Sequence, residues 1–517
     1  MQSSDVIVIG GGTNGLACAT RLAQAGRRVT LLESQAETGG GARGWEFFPG
    51  FRTPGLAHVL HLLDRRVAAA MDLRRHGLAY ADANLSTTAL GADGRHLVLR
   101  GPFGAAVEGD LPAADRASWA ELRARLLRFA ATLAPFKEIT PPRLASGSGD
   151  LRQLACLGLA IRRLGRDDFR EFLRLALINI WDALEDELSD DRLKGCLAFD
   201  ATLGSWLGPR SPNSLILLLN RLAGEVAGRP SVLSLPQGGM PAVAAAMTGA
   251  ATAAGVTILT NAAVRRVVVE DGVAKGVILE DGRDLRAASV VSAMNPVTTL
   301  AGLVGPDHLD TGLLMRLRHQ KSRGAAARLH IALRALPDFR GADPATRMVI
   351  APSATAVDQA FNAVKYGEVP ANPVMEILVP SLTSDGLAPP GQHVLSAIVQ
   401  FAPHAPKAGA EAARAALLDR CLTTLEAHAP GLRDLILGAE LLLPGDIEAR
   451  FGFPGGNWHH GELSVEQMFF LRPVPGLARY RTPVDGLWLA SAGTHPGGGI
   501  SGAAGWNAAG QLLKDAR

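Results

Sequence analysis

The chain has 517 residues, 47% of them hydrophobic and 20% charged, a globular composition that excludes disordered and collagen-like classes. At about 150 residues per domain the length calls for two to four domains, or two large ones. Lys plus Arg total 52 against 49 Asp plus Glu, a formal charge of only +3; with no basic block and no acidic tail, the electrostatics argue against nucleic acid as a partner. Cys18, Cys156, Cys196 and Cys421 are the four cysteines. They form no C-x-x-C pair and lack metal-ligand spacing, so a reducing compartment fits and a dithiol centre does not. The first residues run straight into an apolar segment, without the basic and apolar regions of a signal peptide. Between Arg229 and Arg265 no charge occurs, but Pro230, Pro236, Pro241, Gly238, Gly239, Gly249 and Gly255 interrupt the stretch. The longest helix it allows, from near Pro241 to before Gly255, is too short to span a bilayer. The chain reads as cytoplasmic, with peripheral membrane contact left open.

In chain order, DVIVI at 5–9 has the pattern of a buried strand, followed by GGGTNG and a helix with Leu16, Ala19, Leu22 and Ala23 at helical spacing. Gly26 fits a helix C′ position, RVTLL at 28–32 is a second strand, and Glu33 stands at its carboxyl end. After a mixed region to 115, helical patterns cover ASWAELRARLLRFAATL, RQLACLGLAIRRLG and DFREFLRLALINIWDAL, and a further apolar segment, NSLILLLNRLAGEV, follows Pro212. Strands return with VTIL at 256–259, and VRRVVVE and VAKGVILE flank an Asp271-Gly272 hairpin turn. RLHIALRAL, PVMEILVPSL and HVLSAIVQF are further strands, GLWLAS at 486–491 is the last, and a helix over about 502–515 ends the chain. Nucleotide-binding character at the start, middle and end predicts interleaved domains. The prediction places 1–75, 225–315 and 476–517 in a Rossmann-like dinucleotide-binding domain, and 76–224 and 316–475 in an inserted mixed α+β domain.

Gly10-x-Gly12-x-x-Gly15 lies between a strand and a helix, as a dinucleotide fingerprint requires. Gly10 permits the tight turn, Gly12 lets a pyrophosphate approach the backbone, and Gly15 allows close helix–strand packing. The helix N-terminus offers free N–H groups and the positive end of its dipole to the phosphates. Glu33, 23 residues past Gly10, can accept hydrogen bonds from both ribose hydroxyls and would repel a 2′-phosphate. Gly39-Gly40-Gly41-Ala42-Arg43 supplies a second set of backbone N–H groups, with Arg43 near the phosphates or flavin. Gly493-Thr494-His495-Pro496 followed by Gly497-Gly498-Gly499 brings amides to a ring edge, where their dipole stabilises a reduced flavin. NAD dehydrogenases do not need this terminal element, so the three together indicate FAD.

These segments, with LPQGGMPAVAAAM at 235–247, VVSAMNP at 290–296, GGNWHHGELS at 455–464 and YRTPVDGLWLASAGTHPGGGISGAAGWNAA at 480–509, resemble the phytoene desaturase-like superfamily within the amine oxidase-like flavoproteins. The chain is most similar to the branch labelled pyridine nucleotide-disulfide oxidoreductase domain-containing protein 2, over nearly its whole length. The resemblance implies non-covalent FAD, with Gly10, Gly12, Gly15, Glu33, Gly40 and Arg43 on the adenosine diphosphate and flavin side. It implies that Val264 backbone atoms hold the adenine and that Gly493, Gly498, Gly499 and Ile500 meet the ribityl chain and flavin. Gly493-Thr494 stands where related flavoproteins often carry an acidic ribityl ligand, a departure from the pattern.

The branch label mentions disulfides, yet the sequence has no C-x-x-C and no second G-x-G-x-x-G for NAD(P)H. Both absences point to oxygen, a quinone or another acceptor for the electrons, not to disulfide reduction. The expected reaction removes a hydride from substrate C–H to flavin N5, forming a double bond; by resemblance the substrate is apolar, isoprenoid- or lipid-like. His495, inside the terminal glycine motif, and His460 are the candidate catalytic side chains. His459, His460 and Glu462 lack the spacing and third partner of a metal site, so no metal is expected. His58 and His61, three apart in GLAHVLHLL, could share one helix face near the cofactor. Amine oxidation stays as the rival chemistry, although Tyr80, Tyr366 and Tyr480 are the only tyrosines available for an aromatic cage. Flavin-dependent isomerisation or saturation is a third chemistry, and a flavin-binding interaction protein is the reading without catalysis.

Overall fold

The first glycine-rich unit folds as its pattern dictates in the computed structural model, which describes residues 4–143 and 148–515. The strand Ser4–Ile9 is buried from Val6 onward and pairs in parallel on one side with Val29–Leu32 and on the other with Asp284–Ser292. Being flanked and covered on both faces, it reads as an unbroken apolar run rather than an alternating one. Thr257–Leu259 adds in parallel beyond Val29–Leu32. Asp284–Ser292 is the pivot of this seven-stranded sheet. Its last residues, from Val290 on, pair in parallel with Leu487–Leu489, while Asp284–Arg286 pair antiparallel with Val273–Leu279. Val273–Leu279 returns to Val264–Glu270 through Asp271 and Gly272, both at positive φ (+51° and +76°), the conformation that makes Asp-Gly a hairpin signal. The helix Thr13–Gln24 buries Leu16, Ala19 and Leu22. It lies against Ala503–Asp515, where a Cβ on Gly505 would stand 1.8 Å from the Asn14 carbonyl oxygen.

A second sheet has eight strands, in the order Ile436–Leu442, Ala326–Leu333, His393–Gln400, Val374–Leu378, Arg347–Ile350, Thr87–Ala89, Leu97–Arg100 and Ala106–Glu108. It is antiparallel except where Arg347–Ile350 runs parallel to Thr87–Ala89. The strands of the first sheet thus come from residues 4–32, 257–292 and 487–489, and those of the second from 87–108 and 326–442. The helices Ala113–Glu138, Asp191–Thr202 and Leu215–Leu222 share a core with the second sheet's edge, through residues such as Leu97, Phe129, Phe199 and Val349. Among the described residues no helix is long and apolar enough to cross a membrane.

Two local expectations are corrected. The helical pattern over 168–184 is two helices, Arg166–Leu177 and Ile180–Glu185. Extended backbone at Ile178 and Asn179 separates them, and the Asn179 side chain accepts from the Asp182 N–H at 2.8 Å; a good N-cap residue competes with helix continuation. The segment holding His58 and His61 is not a helix. It runs past Ser234 with reciprocal Leu60–Ser234 backbone hydrogen bonds of 2.9 and 2.8 Å, so an apolar run without polar relief takes its shape from a neighbouring segment.

Candidate active site

The two glycine runs that the sequence singled out pack on each other. The Gly39 N–H donates to the Gly11 carbonyl at 2.8 Å, and Gly12 bridges Gly39. Gly10 sits at φ +96° and Gly40 at +55°, backbone that side chains rarely adopt. A Cβ on Gly15 would meet the Gly10 carbonyl oxygen at 1.9 Å, whereas one on Gly12 would find nothing nearer than the Gly40 Cα at 3.8 Å. Gly15 is therefore a packing glycine and Gly12 faces open space. Gly12 is also the N-cap of Thr13–Gln24, with no side-chain cap and no acidic residue in the first turn. The helix presents uncapped N–H groups and the positive end of its dipole there. The Glu33 carboxylate braces this loop: Oε2 accepts from the Gly11 N–H at 2.8 Å, and Oε1 from the Gln35 N–H at 2.9 Å and the Ser34 hydroxyl at 3.2 Å. Each carboxylate oxygen has two acceptor sites, so capacity for a ribose hydroxyl remains.

A cavity of about 500 Å³ opens at this loop and continues to the second sheet. Gly10, Gly12, Gly15, Glu33, Gly40, Arg43, Val264, Gly499, Ile500 and His460 all line it. The residues expected on the dinucleotide thus converge from separate stretches of chain. An uncapped helix terminus, a Cβ-sized space at Gly12, a buried ribose-type acid and a long cavity fit a dinucleotide cofactor.

Gly493, Gly498 and His495 are not among the residues that line this cavity, whereas their neighbours Ala492 and Gly499 are. A Cβ on Gly493 would stand 2.3 Å from Pro296 Cδ, and one on Gly498 would stand 2.2 Å from His459 Nδ1; both are absent side chains that let the wall behind the cavity close up. The His495 ring is buried, bonds the Phe136 carbonyl through Nε2 at 2.7 Å and packs edge-on against Phe469. It is a structural histidine of the turn, not a group reaching the cavity. Cys18, Cys196 and Cys421 do not line the cavity either; they are free and buried. Burial pushes the Cys18 and Cys196 thiols up to about 12, which keeps them protonated and inert.

The inner end of the cavity is lined by His58 and His61, which the sequence raised as neighbours of the cofactor, and by Asp200, Arg221 and Glu376, which it left unassigned, beside Leu203, Leu217, Ile398, His459 and Leu463. The sheet register assembles them. Glu376 lies opposite Val349 on one neighbouring strand and Ile398 on the other, and Arg328 lies opposite Ile398. Side chains two apart on a strand share a face, so Arg347 is the diagonal neighbour of Glu376. Arg347 Nε donates to Glu376 Oε2 at 2.5 Å and Nη2 to Asp200 Oδ1 at 2.5 Å; Arg221 also reaches Asp200 Oδ1, at 2.7 Å. His58 Nδ1 meets Glu376 Oε1 at 2.6 Å. The side chains of Arg347 and Glu376 have no exposure at all. Two carboxylates and two guanidiniums balance with His58 neutral. The Arg347 guanidinium holds the Glu376 carboxyl far below the usual carboxylate range, against its burial. The signal for this network in the sequence is a lone charge inside each of two apolar strands, Arg347 before MVI and Glu376 within VMEIL.

Burial is the chief reason that the histidines in and behind the cavity wall are held neutral. It lowers His58 to about 4, helped by Arg328, and His459 and His460 to about 3 and about 4, each helped by Arg472. His495 is lowered by burial to about 3. Each ring titrates near 6.5 once unfolded, so the unfolded chain binds protons first as pH falls. Stability is complete above pH 6.5 and is lost progressively toward pH 3, by about 1.4 kcal/mol per group and pH unit. The thermal unfolding midpoint is expected to fall steeply from pH 6.5 to 5, and His495→Asn should make that slope shallower. A midpoint flat across this window would contradict the assignment of neutral buried rings.

Residues 8–72 match the family described as NAD(P)-binding Rossmann-like domain. Over 543 residues the chain is 30% identical to pyridine nucleotide-disulfide oxidoreductase domain-containing protein 2 of Rattus norvegicus, with 99% of this chain and 93% of that protein covered. It is 27% identical to hydroxyneurosporene desaturase of Cereibacter sphaeroides, covering 99% of this chain and 97% of that one. Among solved structures, putrescine oxidase bound to putrescine superposes with a TM-score of 0.61 at 17% identity, over 100% of this chain and 99% of that chain, which shows a common fold. The full-length relative and the fingerprint opening on one long cavity lead to the same conclusion: the chain belongs to the pyridine nucleotide-disulfide oxidoreductase domain-containing protein 2 family, phytoene desaturase-like enzymes of the flavin-type oxidoreductases.

Proposed function

We propose that the protein is a dehydrogenase or desaturase that holds FAD non-covalently and oxidises an apolar, isoprenoid- or lipid-like small molecule. The observation that carries the reading is the continuity of one cavity from the Gly10–Gly15 loop to the inner chamber. In this reading the uncapped N-terminus of Thr13–Gln24 holds the pyrophosphate, Glu33 the ribose and the Val264 backbone the adenine. Gly40, Arg43, Gly499 and Ile500 hold the rest, and Gly493 and Gly498 support the terminal turn from behind. The flavin would supply hydride acceptance at N5 and pass the electrons to oxygen, a quinone or another acceptor. Leu203, Leu217, Ile398 and Leu463 offer the substrate chain apolar contact in the chamber. None of Tyr80, Tyr366 and Tyr480 lines the cavity, which weakens the case for an amine held in a tyrosine cage.

The test is an anaerobic visible spectrum of the purified protein before and after a cellular lipid extract is added. A flavin band that bleaches with the extract is the expected result and gives a handle for isolating the substrate. A band that persists with lipids and bleaches with an amine pool would replace this reading by amine oxidation. No flavin band after reconstitution with FAD would overturn the cofactor assignment itself.

A further inference from the structure

We propose that His61 and Asn220 form a polar subsite of the inner chamber that receives a neutral oxygen function, a hydroxyl or a carbonyl, on the otherwise apolar substrate. The inference rests on the dehydrogenase reading above and narrows its substrate class to oxygenated molecules, away from plain hydrocarbons.

Both residues line the cavity, and the fold brings their segments together. The Leu63 N–H donates to the Glu225 carbonyl at 2.9 Å, and a Cβ on Gly224 would stand 2.2 Å from the His61 carbonyl oxygen. The chain around His61 therefore packs on the end of the helix Leu215–Leu222. On that helix Asn220 and Arg221 lie three and four residues past Leu217 and share its face, and all three line the cavity. On the other side, His61 Nε2 is 3.9 Å from the place a Cβ on Gly499 would take. The ring thus stands where the terminal glycine turn meets the chamber, and Asn220 lies beside Arg221 at the inner end.

His61 and Asn220 are only partly buried. Among the described residues neither side chain bonds the protein, and none of their polar atoms is sealed off by it, in contrast to Nε2 of His58. The Asn220 main-chain carbonyl accepts from Lys137 Nζ at 2.7 Å, which fixes the helix end and leaves the side-chain amide uncommitted. Burial, followed by the Arg221 and Lys137 charges, holds the His61 ring well below its ordinary value and so neutral. A neutral imidazole offers one donor and one acceptor, and the amide two donors and an acceptor. Sites for apolar molecules use a few such groups to set orientation. A hydrocarbon drawn into the chamber would strip water from both side chains and return no hydrogen bond. A hydroxyl can give one and take one, and a carbonyl can take one from either residue. An ionised head group fits less well, because the lining charges are spent on one another: Arg221 bonds Asp200 at 2.7 Å, and Glu376 bonds Arg347 at 2.5 Å.

The test separates a cellular lipid extract on silica into hydrocarbons, neutral oxygenated lipids and ionic lipids. Each fraction is titrated anaerobically into the FAD-loaded protein, and bleaching of the flavin band is followed by stopped flow. The neutral oxygenated fraction is expected to bleach the flavin; acetylating it then distinguishes a hydroxyl, which loses activity, from a carbonyl, which keeps it. His61→Leu and Asn220→Leu should retain the flavin band and each raise the half-saturating concentration about 5- to 100-fold, the effect of leaving a buried polar group of the substrate unpaired. His61→Gln, which keeps a donor and an acceptor, should recover most of that loss, a recovery that a merely structural role for the ring would not give. Bleaching by the hydrocarbon or the ionic fraction alone overturns the subsite and leaves the dehydrogenase reading standing. Wild-type concentration dependence in both leucine variants overturns it as well. Loss of the flavin band in His61→Gln and Asn220→Leu would give these side chains to the cofactor and overturn it too. A wild type that holds FAD but is bleached by no fraction overturns the dehydrogenase reading, and the subsite falls with it.

Discussion

Arg347→Met is expected to lower stability by about 3–5 kcal/mol, the usual cost of removing one member of a buried ion network. Arg347 has no solvent exposure and bonds Glu376 and Asp200 at 2.5 Å each. Asp200 retains Arg221 after the substitution, but Glu376 keeps only a neutral imidazole. The result is a carboxylate without exposure and without a bonded cation. It either stays charged at full desolvation cost or draws a proton from His58's side. Urea unfolding at pH 7.5 measures the loss. The double variant Arg347→Met with Glu376→Gln should recover most of it, because the stranded charge is then gone. In the single variant the His58 ring should also become easier to protonate, since Glu376 no longer shares its charge with a guanidinium. An Arg347→Met protein as stable as the parent would mean that the network is not closed as described.

Gly15→Ala is expected to abolish flavin binding and to destabilise the fold by about 3 kcal/mol, the upper range for overpacking. The added methyl would stand 1.9 Å from the Gly10 carbonyl oxygen and 3.3 Å from Ala293 Cβ. The first of these is backbone of the very turn that faces the cavity, so relief requires the loop to open. The flavin absorbance after reconstitution reads the first effect and the thermal midpoint the second. Gly302→Ala, where an added Cβ meets nothing within 4 Å, is the control and should keep the flavin band. A Gly15→Ala protein that binds flavin normally would mean that the tight Gly10–Gly15 packing is not needed to shape the cofactor loop.

The dinucleotide end of the site is legible in the sequence because its signals are local. A strand, the glycines at 10, 12 and 15, an amphipathic helix and Glu33 lie within about thirty residues, and each has a conformational reason that needs no distant partner. The Asp271-Gly272 hairpin is legible for the same cause. The inner end is not. His58 reads as part of one helix face, because an apolar run such as GLAHVLHLL satisfies helical and extended periods alike. His495 draws attention through the company of glycines, whereas its ring is committed to Phe136.

The Rossmann-like unit, the acid at the end of its second strand and the return of the chain to that unit at its end are set by the letters of the chain alone. Backbone dihedral requirements and helix dipoles act over a few residues, so they are written in consecutive letters. Which charges meet is settled by the packed fold. His58, Asp200, Arg221, Arg347 and Glu376 come from five separate segments, and the register of Val349 against Glu376 together with the helices above the sheet brings them within bonding distance. Pairing of buried charges is a property of the closed core, where desolvation forces each to find a partner. No spacing along the chain records it.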